Sequence, residues 1–187
     1  MAKAKKLKII PLGGLDEIGK NLTALEYGNE IIMVDCGMAF PDDDIPGVDM
    51  VINDITYLEK NWSKIKGIFL THGHEDHIGG LPYFLKAINV PVYGTRLTIG
   101  LVEHKLKEHN LLSSVKLVRA KYGNVINAGQ NFSVEFVRPN CSIADSAALA
   151  IKTAVGTVIN MGDFKITTNP IVADMISFAR HGEIGKV

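Results

Sequence analysis

Three observations on the sequence predict one domain of mixed α and β structure, of the α/β or α+β class. The length of 187 residues suits a single domain. Hydrophobic residues make up 47% and charged residues 21%, which is enough apolar material to form a buried core. Strand-like apolar runs alternate with stretches of helical spacing, which is typical of sheets covered by helices. The charge is balanced, with Lys+Arg 20 and Asp+Glu 20, and gives no indication of nucleic-acid binding.

The first part of the chain is predicted to form β-strands followed by a loop. Gly28-Asn29 separates two apolar runs and therefore predicts a hairpin turn. Glycine and proline recur through residues 36–49, which predicts a loop there. The expected elements are strands over 8–12, 22–26 and 30–35, and a short helix over 55–61.

The rest of the chain is predicted to combine strands and helices. The apolar run 65–70 is followed at once by polar residues, so it predicts a buried strand that ends in a functional loop. Val155-Gly156 marks a turn, and Pro170 suits the start of a final helix. The expected helices are 78–88, 95–109 and 170–179, and the expected strands are 65–70, 90–93, 115–118, 132–137, 149–153 and 157–161.

The loop after residue 70 has the spacing of a metal site. Its motif, H-x-H-x-D-H, consists of His72, His74, Asp76 and His77. Imidazole nitrogens and carboxylate oxygens are ligands of zinc. On a loop, the first two histidines can turn to one side while the last two residues face a second point, so the spacing predicts two metals. Gly79-Gly80 would then permit a tight turn and a close backbone approach. A polar surface loop is the alternative, but half of the six histidines lie in this one hexapeptide.

This motif resembles the signature of the metallo-β-lactamase superfamily. The resemblance implies a four-layer αββα sandwich with its metal site at one edge of the sheets. It also implies that His72 and His74 bind the first metal, and that Asp76 and His77 bind the second.

Two further segments resemble motifs of the same superfamily. Val34-Asp35-Cys36-Gly37 resembles the motif whose aspartate supports the ligand loop through hydrogen bonds. The segment 160–165 resembles the motif of the bridging aspartate, here Asp163, which follows a strand and a glycine and can place one oxygen on each metal. A turn-forming aspartate and an ordinary strand-end aspartate are the alternatives. The catalytic group implied by the resemblance is Asp76, His77 and Asp163.

Several segments resemble the ribonuclease J family within this superfamily, namely 10–21, 40–41, 47–49, 67–72, 142–146, 150–153 and 162–165. The resemblance implies a hydrolase with two metals, usually zinc, with manganese or magnesium as other candidates. It implies cleavage of RNA from the 5′ end and internally, in rRNA maturation and mRNA decay, through attack of a metal-bound hydroxide on a phosphodiester.

The sequence departs from this family pattern at two places. Where the family has a histidine ligand of the first metal, this chain has Cys141. A cysteine thiolate can bind zinc, so Cys141 is a candidate ligand; as a small apolar loop residue it would instead leave a damaged site. The family also has a β-CASP insertion and a C-terminal part that supplies another ligand histidine. We therefore expect residues 1–187 to be the N-terminal part of the metallo-β-lactamase-fold domain, a fragment or impaired copy without a dependable homo-oligomer interface.

Two other functions remain open at this point. One is a stand-alone hydrolase of small esters, thioesters or lactams, and the other is a non-catalytic paralogue that binds RNA or a partner protein. Two cysteines, no apolar run of membrane-spanning length and no signal-peptide pattern at the start predict a cytoplasmic protein that does not bind membranes.

Overall fold

Two β-sheets stacked face to face form the body of the protein. The computed structural model describes residues 5–41, 46–139, 144–163 and 182–185. The strands are β1 (Lys8–Gly13), β2 (Leu22–Tyr27), β3 (Glu30–Val34), β4 (Met38–Ala39), β5 (Val51–Ile52), β6 (Ile65–Phe69), β7 (Val92–Gly94), β8 (Leu117–Arg119), β9 (Val125–Ala128), β10 (Phe132–Val137), β11 (Ala148–Thr153) and β12 (Gly156–Asn160). The helices are α1 (Thr56–Lys60), α2 (Glu75–Ile78), α3 (Leu81–Ala87) and α4 (Arg96–Glu108).

The first sheet is mixed, and its order brings several strand ends to one edge. Six strands lie in the order β1-β2-β3-β6-β7-β8. The pairs β1–β2 and β2–β3 are antiparallel, whereas β3, β6, β7 and β8 are parallel neighbours. Because β3 and β6 run in the same direction, the residues that follow them emerge at the same edge of the sheet.

The second sheet is antiparallel and packs on the inner face of the first. Its four strands lie in the order β12-β11-β10-β9. Phe69 from the first sheet contacts Phe136 from the second, with ring centroids 6.3 Å apart, and stacks on Tyr93 at 4.6 Å. Ile32 and Leu149 are fully buried in the same inter-sheet core. Aromatic and β-branched residues at alternate positions of facing strands produce this core.

Helices cover the outer face of the first sheet. Phe84 of α3 and Val102 of α4 pack on Met33 and Ile68, which point away from the inter-sheet core. The described residues thus form three layers of mixed α and β structure, which confirms the predicted fold class. Ile184 packs on the outer face of the second sheet, and the helix predicted over 170–179 lies outside the described residues. Within the described ranges, no helix has the length and apolar character needed to cross a bilayer.

Three element predictions were wrong in detail. Residues 36–49 are not all loop, because β4 pairs with β5 to form a small antiparallel ribbon. The helix predicted over 78–88 begins only at Leu81, as α3, and a separate short helix, α2, ends at Ile78 before Gly79 and Gly80. The strand β9 was missed because only its last residue, Ala128, is buried, so the alternation of apolar residues that marks a strand is weak.

A buried carboxylate joins the first two strands to the helix layer. Glu26 of β2 accepts hydrogen bonds from Lys8 of β1 at 2.7 Å, from the Tyr57 hydroxyl of α1 at 2.7 Å and from Lys64 at 3.1 Å. The bond from Lys8, helped by those from Tyr57 and Lys64 and opposed by burial, lowers the pKa of Glu26 from 4.5 to about 2.

We expect Glu26→Gln to lower the free energy of unfolding by about 2 kcal/mol at neutral pH, because a carboxylate with three donors becomes a neutral amide. Since the folded pKa is depressed, the contribution is complete above 4.5 and is lost as the pH falls toward 2. The difference from wild type should therefore shrink in acid. Urea denaturation at neutral and acidic pH measures it, and Glu59→Gln, an exposed change on α1, is the control. A difference that stays constant with pH would contradict this assignment.

Candidate metal centre

The predicted ligands meet at the edge where β3 and β6 end. Asp35 directly follows β3, and its backbone N–H donates to the Phe69 carbonyl at the end of β6, at 3.0 Å. The loop that follows β6 carries His72 and His74 and leads into α2. Asp163 reaches the same edge from the second sheet, three residues after β12 ends. The stacked sheets thus bring residues that are distant in sequence to one site.

The ligand atoms form two groups that share one residue. His72, His74 and Asp163 form one group, and Asp76, His77 and Asp163 form the other, each with ligand atoms within 4.8 Å of one another. Asp163 Oδ2 lies 3.7 Å from His72 Nε2, and Asp163 Oδ1 lies 3.4 Å from His77 Nε2. Among the described residues only Asp163 belongs to both groups, and each of its oxygens faces a different one.

One buried nitrogen, which has no hydrogen-bond partner within the described part of the chain, suits the site to a cation. The Thr71 hydroxyl donates to Asp35 Oδ2 at 2.9 Å, so its oxygen is free to accept the Nδ1–H of His72 at 3.0 Å. The Nε2 of His72 then carries a lone pair that faces the ligand group. This nitrogen is buried and has no hydrogen-bond partner among the residues that the structure describes. Such a group is costly in an apolar interior, and a bound cation would satisfy it.

The environment shifts the pKa values of the two buried histidines in opposite directions. Burial, reinforced by the neighbouring His77, lowers the pKa of His72 to about 4, so His72 is neutral at physiological pH. Burial also disfavours the charged form of His77, but the hydrogen bond and charge of Asp35 outweigh it. With Asp76 and Asp163 contributing, the pKa of His77 is raised above its ordinary value. A neutral imidazole is the form that binds a metal.

Asp35 supports the ligands from beneath without facing the ligand groups. Its Oδ1 accepts the Thr71 backbone N–H at 2.8 Å, and its Oδ2 lies 2.8 Å from His77 Nδ1. Asp35 is nearly fully buried and has a left-handed backbone, with φ of 58°, which aspartate tolerates better than most residues. In the neutral ring, with Nδ1–H donated to Asp35, the Nε2 of His77 keeps its lone pair for the site.

Glycines permit the close packing around the ligand loop. A Cβ on Gly80 would lie 2.6 Å from the Gly37 carbonyl oxygen, and a Cβ on Gly37 would overlap the Asp76 carbonyl. Both Gly79 and Gly80 have ordinary right-handed helical angles, so no turn that needs positive φ is present there. Glycine is required at Gly80 because its backbone closely approaches the Gly37 carbonyl. The loop is therefore held by backbone contacts as well as by side chains.

The structure brings His72, His74, Asp76, His77 and Asp163 together and places Asp35 behind them. Their roles as ligands and as a catalytic group remain predictions. Cys141 lies outside the described residues. Sequence reasoning missed two residues, Thr71 and Asn21. The Nδ2 of Asn21 lies 3.1 Å from Asp76 Oδ2, a contact between residues 55 positions apart. No local pattern in the sequence could have indicated it.

We expect Asp35→Asn to lower the affinity for divalent metal by roughly 10- to 100-fold, the usual effect of losing an outer hydrogen-bond partner. An amide NH₂ facing His77 Nδ1 would make that nitrogen an acceptor and move the ring proton to Nε2, where it would block the metal. Isothermal titration with zinc measures the change. Asp54→Asn is the control, because Asp54 is exposed and its Oδ1 accepts the Thr56 N–H, a bond that an asparagine oxygen can also accept. Equal affinity in both variants would contradict the role of Asp35.

The fold and the ligand geometry define a class of protein that family comparison also identifies. The model of the metallo-beta-lactamase superfamily matches residues 15–139, which is more than half of the chain and includes the loop with His72 and His77. The chain belongs to the metallo-beta-lactamase superfamily. Within it, the sequence is similar to ribonuclease J proteins from several bacteria.

Three of these relatives show the extent of the similarity. Ribonuclease J of Synechocystis sp. is 46% identical over 98% of this chain, that of Thermus thermophilus 42% over 96%, and ribonuclease J 1 of Streptococcus pyogenes 40% over 98%. The chain spans only 29%, 32% and 33% of these relatives' own lengths. The resemblance to the ribonuclease J family is therefore confirmed at the level of sequence.

Solved structures support the fold. A protein of unknown function from Enterococcus faecalis matches with a TM-score of 0.61 at 20% identity, covering 87% of this chain and 44% of its own. The Zn²⁺-bound PqqB of Methylobacterium extorquens matches with a TM-score of 0.52 at 12% identity, covering 75% of this chain and 48% of its own. At these identities the likeness concerns the fold alone.

Proposed function

We propose that this chain carries the metal centre of a zinc-dependent ribonuclease of the ribonuclease J type. Such an enzyme would hydrolyse RNA phosphodiesters from the 5′ end and internally, in rRNA maturation and mRNA decay. The observation that carries the proposal is 46% identity to a ribonuclease J across 98% of the chain. The two ligand groups that share Asp163 support it.

The donor set favours divalent cations that accept both nitrogen and oxygen ligands. Histidine and carboxylate together suit zinc, with manganese or magnesium as weaker candidates because they prefer oxygen. When bound, the cations would supply an activated water molecule and would offset charge on the phosphate oxygens. The metal-ligand roles of His72, His74, Asp76, His77 and Asp163 are part of this proposal.

The protein's own residues would position the reacting groups. His72 is held neutral by burial, and Asp35 fixes the ring of His77, so both present a lone pair toward the site. His74 is exposed, and the Asp163 side chain is 54% exposed. One side of the site is therefore open to solvent, which would give a phosphodiester of an extended chain access to it.

The proposal also covers how much of the enzyme this chain represents. Coverage of 29–33% of the relatives is consistent with residues 1–187 being the N-terminal part of their metallo-β-lactamase domain. The β-CASP insertion and the remaining ligand histidine would then belong to other parts of those proteins. Cys141 is proposed to take the place of a family histidine on the first metal. The cytoplasmic location and the lack of a dependable oligomer interface remain predictions.

The test compares RNA with other substrates. The purified chain, loaded with zinc or manganese, is incubated with 5′-monophosphorylated labelled RNA and, separately, with a chromogenic lactam and a thioester. A chimera in which this chain replaces the matching segment of the Synechocystis relative is assayed beside it. We expect weak metal-dependent RNA cleavage by the chain and much stronger cleavage by the chimera.

Each alternative function has its own outcome in this test. Turnover of the lactam or thioester without RNA cleavage would favour a stand-alone hydrolase. RNA binding without cleavage, in both the chain and the chimera, would favour a non-catalytic paralogue. Recovery of chimera activity only in Cys141→His would show that the natural cysteine leaves the first metal position impaired.

A further inference from the structure

The carboxamide of Asn21 lies among the ligand atoms of the second metal position. Asn21 directly precedes β2 and is half-buried. Its Nδ2 is 3.1 Å from Asp76 Oδ2, 3.1 Å from His77 Nε2 and 3.2 Å from the Asp76 carbonyl oxygen. The two ligand atoms are themselves 3.4 Å apart. This one amide nitrogen therefore contacts both Asp76 Oδ2 and His77 Nε2, which form the second group together with Asp163.

Backbone contacts hold this carboxamide in place. The Asn21 N–H donates to the Asp76 carbonyl at 3.0 Å, and the Asn21 carbonyl accepts the Gly37 N–H at 2.9 Å. The Oδ1 of Asn21 lies against Gly14, where a Cβ would be only 2.5 Å from it. Gly14 has φ of +80°, a backbone conformation that glycine adopts without strain. The oxygen of the amide is thus packed against a glycine while its NH₂ faces the ligands.

The direction of the hydrogen bonds between Asn21 and the ligand atoms follows from the partner of His77 on the other side of its imidazole ring, which is Asp35. His77 Nδ1 faces the Asp35 carboxylate at 2.8 Å and donates to it. In the neutral ring, Nε2 is then the acceptor. Asn21 Nδ2 has two hydrogens and can donate one to His77 Nε2 and one to Asp76 Oδ2. These are the lone pairs that a metal in the second group would use.

We propose that Asn21 is a positioning residue that holds Asp76 and His77 together at the second metal position before the metal binds. The inference rests on the proposed metal centre. With no cation bound, the amide keeps Asp76 and His77 together at nearly the spacing that a shared ion requires. A bound cation takes over the His77 lone pair, while the amide keeps its bond to the Asp76 carboxylate. Pre-organised ligands lose less conformational entropy on binding, so Asn21 raises the affinity of this position.

The test combines the stability of the metal-free chain with stepwise metal binding. Melting temperatures are measured in chelator, and cobalt(II) is titrated while its absorption is followed. The variants are Asn21→Ala, which removes the amide, and Asn21→Asp, which keeps its size but replaces the donor with a third carboxylate near Asp76 and Asp163. Asn89→Ala is the matched control, because it also removes a side-chain amide bond, from Asn89 to the Ser114 carbonyl, on the surface.

Asn21→Ala is expected to lower the metal-free melting temperature by about 3 °C more than the control does. It should also weaken one of the two cobalt steps by roughly 10- to 100-fold and leave the other unchanged. Asn21→Asp should melt lower still without metal, because of charge repulsion. A metal-free Asn21→Ala chain as stable as the Asn89→Ala control, or two unchanged cobalt steps in Asn21→Ala, would overturn the proposal. If wild type binds no cobalt, the proposed metal centre fails, while the metal-free comparison still decides the role of Asn21.

Discussion

Replacement of Asp163 by alanine is expected to remove bound metal from both candidate positions at once. Each Asp163 oxygen faces a different histidine, at 3.7 Å from His72 Nε2 and 3.4 Å from His77 Nε2. Without this residue each group keeps two described ligands, fewer than the three protein ligands of a typical catalytic zinc site. We expect the affinity for zinc to fall by more than about 100-fold, since a lost ligand costs more than a lost outer partner. Elemental analysis of metal per chain after gel filtration measures the loss.

The control for Asp163→Ala is Glu108→Ala, which removes an exposed carboxylate at the end of α4. Asp163→Asn adds a second comparison, because it keeps the size of the side chain but removes the charge that the two metals would share. Loss of only one metal from Asp163→Ala would show that the residue belongs to a single position. Full retention of both would mean that the shared geometry does not correspond to shared ligation.

Much of the site could be predicted because its ligands are close in sequence. His72, His74 and His77 follow one apolar strand at a spacing that already indicates two metals. The place of that strand in the sandwich depends only on its burial and on its neighbouring strands. The predicted strands mostly lie within one or two residues of the observed ones. The local sequence pattern was sufficient to predict the site wherever a single strand or loop determined the positions of the side chains.

The parts that sequence reasoning missed depend on contacts between distant segments. Asn21 meets Asp76 only because the segment before β2 crosses the start of α2, and nothing in the residues around Asn21 indicates this. Thr71 has an unremarkable position in the sequence, yet it is 1% exposed and its hydroxyl links Asp35 to His72. Likewise β4 and β5 are two residues each, too short for an alternating pattern, and form only because they pair with each other. Hydrogen-bond partners of this kind follow from the three-dimensional fold, not from periodicity.

A second large effect, on stability and metal binding, is expected from a substitution of Gly37, which lies in a backbone junction beneath the ligand loop. Gly37 lies where three segments meet: its N–H donates to the Asn21 carbonyl at 2.9 Å, and the neighbouring Cys36 N–H donates to the His77 carbonyl at 2.8 Å. A Cβ on Gly37 would overlap the backbone carbonyl of Asp76, which is not the movable end of a side chain. If α2 moves away to relieve the overlap, it displaces Asp76 and His77, the proposed metal ligands.

We expect Gly37→Ala to lower the free energy of unfolding by about 3 kcal/mol, at the upper end for overpacking, because backbone must shift. A shift of about 1 Å at the ligands should also weaken metal binding at the second position by roughly 100-fold. Gly100→Ala is the matched control: Gly100 is exposed on α4, and no atom of the described residues lies within 4 Å of an added Cβ. Alanine there should stabilise the helix by about 0.5–1 kcal/mol. Urea denaturation and cobalt titration of both variants separate the effects. A Gly37→Ala chain that keeps wild-type stability and both cobalt steps would mean that the junction yields easily, and that the ligand geometry does not depend on this close approach.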